Sequence, residues 1–307
     1  MITGIDPDSE LFLANIGRVQ RTIDEANREV SSGKRISTAA DAPDEIGTLL
    51  QLRAAQQRNQ QIQSNLNLAK TDADASDTAL TTAIKLMERA LTLASEGTNP
   101  TQTTDTRAAL AQEVLGLQQQ MVSASQTAVQ GRFIFSGDQS DSAAYTFDIT
   151  STNNAVVQAT TAPATARIED PAGGSFAKSK TAAEIFDTRN ADGTSASDNV
   201  FASLNNLRLA LLSGDPTQIT AAIDPLKQAN SHLNLMQSFY GSVENRIQSA
   251  TDYAENYGTQ LQTQISNVED ADVTSAALAL TTASTHLQAA MEMRAKLPRT
   301  TLFDYLA

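Results

Sequence analysis

The 307-residue chain has no cysteine, no tryptophan and only two histidines. Without cysteine there is no disulfide framework, no thiolate zinc site and no thiol nucleophile. Aromatic residues are 5% of the chain, against 40% for hydrophobic residues as a whole. Apolar surface must therefore be buried by aliphatic and small side chains, which suits long helices better than a compact globular core. Basic residues are outnumbered by acidic ones, 22 to 35, for a formal net charge of −13. Such a chain cannot neutralise phosphates, which argues against nucleic acid and against an anionic membrane surface as partners. No run approaches the ~18 apolar residues of a membrane span. The opening MITGIDPDSELFLANIG has no basic segment followed by an apolar one, so no cleaved secretory signal is expected.

Reactive chemistry is equally scarce. His232 and His286 fall on different helical segments with no carboxylate or cysteine motif beside them, and read as helix-surface residues. There is no HExxH, Walker A or GxGxxG motif. DTRNADGT (187–194) places Asn190, Asp192 and Gly193 in calcium-loop order. Its first ligand position would be Thr188 and the distal Glu is missing, so it reads as a turn. No catalytic, cofactor-binding or metal constellation is expected, and no enzyme activity.

What the chain does contain is periodicity. Phe12, Ile16, Val19, Ile23, Ala26 and Val30 follow 4-3-4-3-4 spacing, a heptad seam that stops at Ser31-Ser32-Gly33. The stretch 34–44, with Pro43, reads as irregular. A second helix begins near Asp44, and its 3-4 alternation runs from Leu52 to Ala94 through Ile62, Leu66, Leu80 and Met87. Gly97-Thr-Asn-Pro100 breaks it. A third helix carries Leu110, Val114, Leu117, Met121, Ala124 and Ala128 and is expected to end at Gly131. GRFIFSG then marks a boundary. Gly131 stops the helix, Phe133 to Phe135 form a first short strand that seals the bundle end, and Gly137 turns the chain away. Residues 138–197 are rich in Thr, Ser, Ala, Asp, Asn and Gly, and read as a β-rich or irregular insertion.

Helices resume near Asp198. Asp215-Pro216 is a start signal and Pro225 a point where the helix kinks or restarts. The seam Met236, Tyr240, Val243, Ile247, Ala250, Ala254, Tyr257, Leu261, Gln264, Val268 precedes VEDADV (268–273). A last helix aligns Val273, Ala276, Leu280, Ala283, Leu287, Ala290 and Leu297, with Arg294 as the exception on that stripe.

These patterns predict a mainly α, elongated rod of long antiparallel coiled-coil helices, with a β-rich insertion at its far end. Residues 1–40 with 272–307 form a terminal coiled-coil domain for polymerisation, 41–137 with 198–271 a helical bundle, and 138–197 an outward insertion. Phe12, Ile16, Val19, Ile23, Val30, Val273, Leu280, Leu287 and Leu297 are the expected self-assembly seam. The first helix has few large apolar residues, and Gly17 costs it about 1 kcal/mol more. Residues 1–~40 and ~272–307 are thus expected to be largely disordered in the monomer, folding against copies of themselves or a partner.

VSSGKRISTAADAPDE (30–45) resembles the flagellin-family N-terminal signature, a heptad helix ending in SSG-x-R-I before an acidic, small-residue stretch. VEDADV followed by an Ala-rich helix resembles the matching C-terminal signature. The resemblance covers residues 1–137 and 198–307. It implies a structural subunit of the bacterial flagellum, exported unfolded through the flagellar type III channel and located outside the cell. It implies a homo-oligomer ring, contacts with a neighbouring hook-associated protein and flagellin, a cytosolic export chaperone on the C-terminal helix, and no cofactor. Two roles occur in the family, the filament subunit and the hook–filament junction. GRFIFSG and the ending LFDYL resemble the junction branch. A reading of a different class is a coiled-coil signalling or adaptor hairpin, which would carry a tight polar turn in place of the insertion.

Overall fold

A computed structural model describes residues 7–171 and 173–296. Its helices are α1 (Pro7–Ser32), α2 (Ile46–Gly97), α3 (Thr104–Ser125), α4 (Ala182–Phe186), α5 (Val200–Ser213), α6 (Pro216–Glu269) and α7 (Val273–Lys296). Six short strands lie between α3 and α4: β1 (Ala128–Val129), β2 (Arg132–Phe133), β3 (Tyr145–Phe147), β4 (Val156–Gln158), β5 (Arg167–Glu169) and β6 (Ser175–Ala177). They pair as three antiparallel hairpins of sequence neighbours. The fold is mainly α with a small β insertion.

Two compact units divide the chain. The terminal unit holds the residues up to Arg58 and those from Tyr257 onward; the central unit is Asn59–Asn256. The boundary falls inside α2 and α6, and no separate unit corresponds to the insertion. Ile168, Phe176, Ile185 and Phe186 share one continuous core with Leu66, Leu80, Leu204 and Leu226 of the helices.

The heptad reading of α2 holds along its length: every seam residue from Leu52 to Ala94 is buried or half-buried. On α6 the stripe departs from the reading at one point. Gln264 is exposed and Ile265 is buried, because a four-residue step from Leu261 keeps a straight 3.6-residue helix facing its partner. The ends of the helices follow ordinary capping chemistry. Thr103 and Asn199 accept the N–H groups of Thr106 and Ala202 at the starts of α3 and α5. Asp215 accepts the Thr217 N–H at 2.9 Å ahead of Pro216. The α6 helix continues through Pro225 without a restart.

The end of α3 corrects the sequence reading. The helix stops at Ser125, not at Gly131. Gln130 and Gly131, with φ of 52° and 77°, make the two-residue turn of the β1–β2 hairpin. Ile134 and Phe135 lie beyond β2, so the predicted strand covers only Phe133. Phe135 nevertheless enters the core fully. It meets Phe186 and Tyr240 edge-on, with ring centroids 5.9 and 6.3 Å away. Tyr145 and Phe201 complete this aromatic cluster. Gly137, at φ +63°, is required by space as well as by backbone, since a Cβ there would sit 2.4 Å from the Ala162 carbonyl oxygen.

Candidate assembly surface

In the terminal unit α1 packs against α7. Phe12, Ile16, Val19 and Ile23 are half-buried and Ala26 is buried; Leu280, Leu287 and Ala290 are half-buried against Ala276 and Ala283, which are buried. Arg294, the exception on the α7 stripe, has a partner. Its guanidinium lies 5.4 Å from the centre of the Phe12 ring and donates to Ser9 Oγ at 2.8 Å. Two predicted seam residues stand apart: Val30 is 37% exposed and Val273 46%. Both lie at the helix ends nearest the residue 33–45 link, where the pair has no further turn to cover them. Leu297 and the LFDYL ending lie outside the described residues.

The pair does not close its own apolar surface. Leu11, Leu13, Leu278, Met291 and Met293 are each more than half exposed. Small residues on α7 leave a groove of about 460 Å³ lined by Val19, Thr22, Leu278, Ala279, Thr282 and His286. Covering what remains exposed of the five large side chains would contribute about 5–10 kcal/mol gross. Association costs a similar ~4–15 kcal/mol. On these figures, cover by a single neighbour roughly balances the cost of association.

The link between α1 and α2 is docked separately. Ile36, Ala42 and Leu49 form a small core with Ile265 of α6. Gly33, at φ +70°, ends α1 and returns its N–H to the Glu29 carbonyl at 2.8 Å. Asp41 caps the link from within, accepting the N–H groups of Thr38 and Ser37 at 2.7 and 3.0 Å, and these bonds hold its carboxyl down at about 2. Asp272 caps α7 through Thr274 and Ser275; the Ser275 hydroxyl and N–H bonds hold it below the usual carboxylate range.

The central unit carries polar groups that the sequence reading missed. Arg107, 8% exposed, donates to three helix-end carbonyls: Gly97, the last residue of α2, Asn99 just beyond it, and Gly214 after α5. A guanidinium there satisfies orphan carbonyls and complements two negative helix ends. Asp187 is fully buried and accepts from Tyr145 Oη at 3.0 Å, Arg189 at 2.8 Å and Asn199 Nδ2 at 2.8 Å. Burial, and then the Asp187 charge, push the Tyr145 phenol up. Burial likewise pushes Tyr240 up to about 12. The Asp187 group ties β3 to the start of α5.

His232 also differs from its reading. It is 12% exposed, its Nε2 lies 2.9 Å from the Glu184 carbonyl, and Asp198 Oδ2 stands 3.5 Å from Nδ1. His286 is exposed on the α1–α7 groove. In DTRNADGT, Asp192 Oδ1 accepts the N–H and hydroxyl of Thr194, closing a turn. No group of three or more potential metal ligands occurs among the described residues. No described helix is long and apolar enough to cross a membrane.

The family model for the bacterial flagellin N-terminal helical region matches residues 9–140, and that for the bacterial flagellin C-terminal helical region matches 223–306. Together they span more than two thirds of the chain. No curated protein matches it. Among solved structures, a protein of Vibrio parahaemolyticus described as a flagellar hook-associated protein is 18% identical, with a TM-score of 0.64 over 75% of this chain and 100% of that one. Flagellar hook associated protein-3 of Legionella pneumophila is 12% identical, with a TM-score of 0.58 over 71% and 98%. FlgL of Xanthomonas campestris is 18% identical, with a TM-score of 0.55 over 70% and 98%. At these identities the likeness is one of fold.

Proposed function

We propose, of a chain that belongs to the flagellin family, that it is the structural subunit of the hook–filament junction. The family is one of flagellar structural proteins and not of enzymes. The observation that carries the assembly role is the apolar surface left open on α1 and α7. In this reading the chain leaves the cell unfolded through the flagellar type III channel, without a cleaved signal. Outside, the seam Phe12, Ile16, Val19, Ile23, Val30, Val273, Leu280, Leu287 and Leu297 orders against neighbouring copies as a ring of coiled coils. A hook-associated protein and flagellin cover its two faces. Before export a cytosolic chaperone covers α7.

The junction role is favoured over the filament by GRFIFSG at the β1–β2 hairpin and by the hook-associated names of two proteins that share the fold. The match to flagellin models supports the second reading, a filament subunit. Deleting the gene separates them. A junction subunit leaves bare hooks and sheds flagellin into the medium; intact filaments would exclude that role. A tag in residues 138–197 labels the filament base in the first reading and the whole filament in the second. The surface itself is tested by Leu278→Glu combined with Met291→Glu. The monomer should unfold within about 0.5 kcal/mol of wild type, while assembly is lost. Retained assembly would remove α7's exposed row from the mechanism.

A further inference from the structure

Glu269 is the last residue of α6, and its side chain is 4% exposed. A helix C-terminus is a poor place for a carboxylate, since the macrodipole there is already negative, and burial adds to the cost. Two cations from two other elements offset this. Arg53 Nη2 of α2 lies 2.7 Å from Oε2, and Lys34 Nζ of the link pairs with Oε1. The Glu269 carbonyl accepts the N–H groups of Arg35 and Ile36 at 2.8 and 3.3 Å. Arg35 donates to the Val268 carbonyl at 2.7 Å and pairs with Glu45, while Asp44 and Glu29 face the same guanidinium. Opposite Lys34 stands Asp270, which accepts the Ser266 hydroxyl, and the Ala271 N–H donates to Gly33 at 2.9 Å. One carboxylate thus joins the link, α2 and α6 at the place from which both α1 and α7 depart.

We propose that Glu269 is an acid-released clamp: protonating it frees the link from α2 and α6, loosens the α1–α7 pair, and leaves the central unit folded. Burial raises the Glu269 carboxyl, but the Lys34 and Arg53 bonds outweigh it and hold it below the usual glutamate range. A carboxylate so depressed stabilises the fold fully above its unfolded value and loses that contribution as pH falls through its folded value. Release therefore belongs below the ordinary glutamate value of about 4.3. As regulation of the assembly surface the clamp rests on the assembly reading; as a property of the monomer it is tested without it.

Hydrogen exchange on the full-length chain, corrected for intrinsic rates, reads the amides of Arg35, Ile36 and Ala271 against those of α5. Acidification to about pH 3 should lower link protection a few-fold, with α5 unchanged. Glu269→Gln should show the low link protection already at neutral pH and no acid step. Arg53→Gln should move the step to higher pH. Link protection that persists in acid, or an acid step that survives in Glu269→Gln, overturns the clamp. If Glu269→Gln also weakens α5, the Arg53→Gln midpoint decides, and an unmoved midpoint overturns it.

Discussion

The terminal and central units are written in the same heptad grammar, yet their seams end up differently. In the central unit Leu66, Leu80, Met87, Leu204 and Leu233 are fully buried. In the terminal unit the corresponding rows on α1 and α7 are at best half-buried, apart from three alanines. Spacing decides which side chains share a face; it does not decide whether that face is closed. Closure in the central unit comes from additional layers, α3, α5 and the aromatic cluster of Phe135, Tyr145, Phe186, Phe201 and Tyr240. The α1–α7 pair has no third layer among the described residues of its own chain. In the assembly reading proposed above, this surface stays open in the monomer, and openness costs local stability.

The largest expected effect is in local stability. In dilute monomer, amides of α1 and α7 should exchange at least about a thousandfold faster than those of α5 and the central part of α6, a gap of roughly 4 kcal/mol. Equal protection across the two units would break the comparison, and with it the expectation that the ends order against neighbours.

Core truncation comes next. Phe135→Ala should cost about 3–5 kcal/mol in urea unfolding, because the ring is fully buried among other rings. Phe12→Ala should cost about 1 kcal/mol or less, its ring being half-exposed and capped by Arg294. Similar costs at both positions would mean that the terminal stripe is as well packed as the central core. Arg107→Met ranks below Phe135→Ala, at about 2 kcal/mol: one buried and two part-buried carbonyls lose a donor while the alkyl packing is retained. A neutral outcome would show that water replaces the guanidinium at those helix ends.

The same contrast explains what could be read in advance. Most of the apolar stripes of α1, α2, α6 and α7 were legible, Val30, Val273 and Gln264 apart, because period survives without knowledge of the partner. The end of α3 was not. Ala128 continues the 4-3-4 spacing, and Gly131 resembles a helix stop, whereas Gln130-Gly131 is a hairpin turn. The usable signal was a glycine after a polar residue between two short apolar pairs. Glu269 read as part of an interruption, because Lys34 and Arg53 lie more than two hundred residues away in sequence. Arg107 gave no local signal, since its acceptors are backbone carbonyls. The Asp187 cluster was invisible for the same reason of distance: Asp187 follows α4, and Tyr145 lies 42 residues before it on β3. Contacts that cross elements are set by packing, and composition does not encode them one residue at a time.

The smallest effect tests whether the two units can be perturbed separately. Gln130 is exposed and holds φ +52°, a region that costs a residue with a Cβ about 1 kcal/mol. Glycine removes that cost but gives the unfolded chain more freedom, worth about 0.4–1 kcal/mol in the other direction. Gln130→Gly should therefore stabilise the central unit by only a few tenths of a kcal/mol, roughly 0.3. Gly131→Ala, at φ +77° with nothing within 4 Å of the added Cβ, should destabilise it by about 1 kcal/mol through backbone strain alone. Both changes should appear in the unfolding midpoint of the central unit and leave the exchange of α1 and α7 where it was. The hairpin belongs to the central core through Phe135, while the α1–α7 pair draws its stability from its own stripe and from the link. If Gly131→Ala speeds exchange in α1 and α7 as much as in α5, the two regions melt as one, and the open seam owes its weakness to the whole chain and not to its missing third layer.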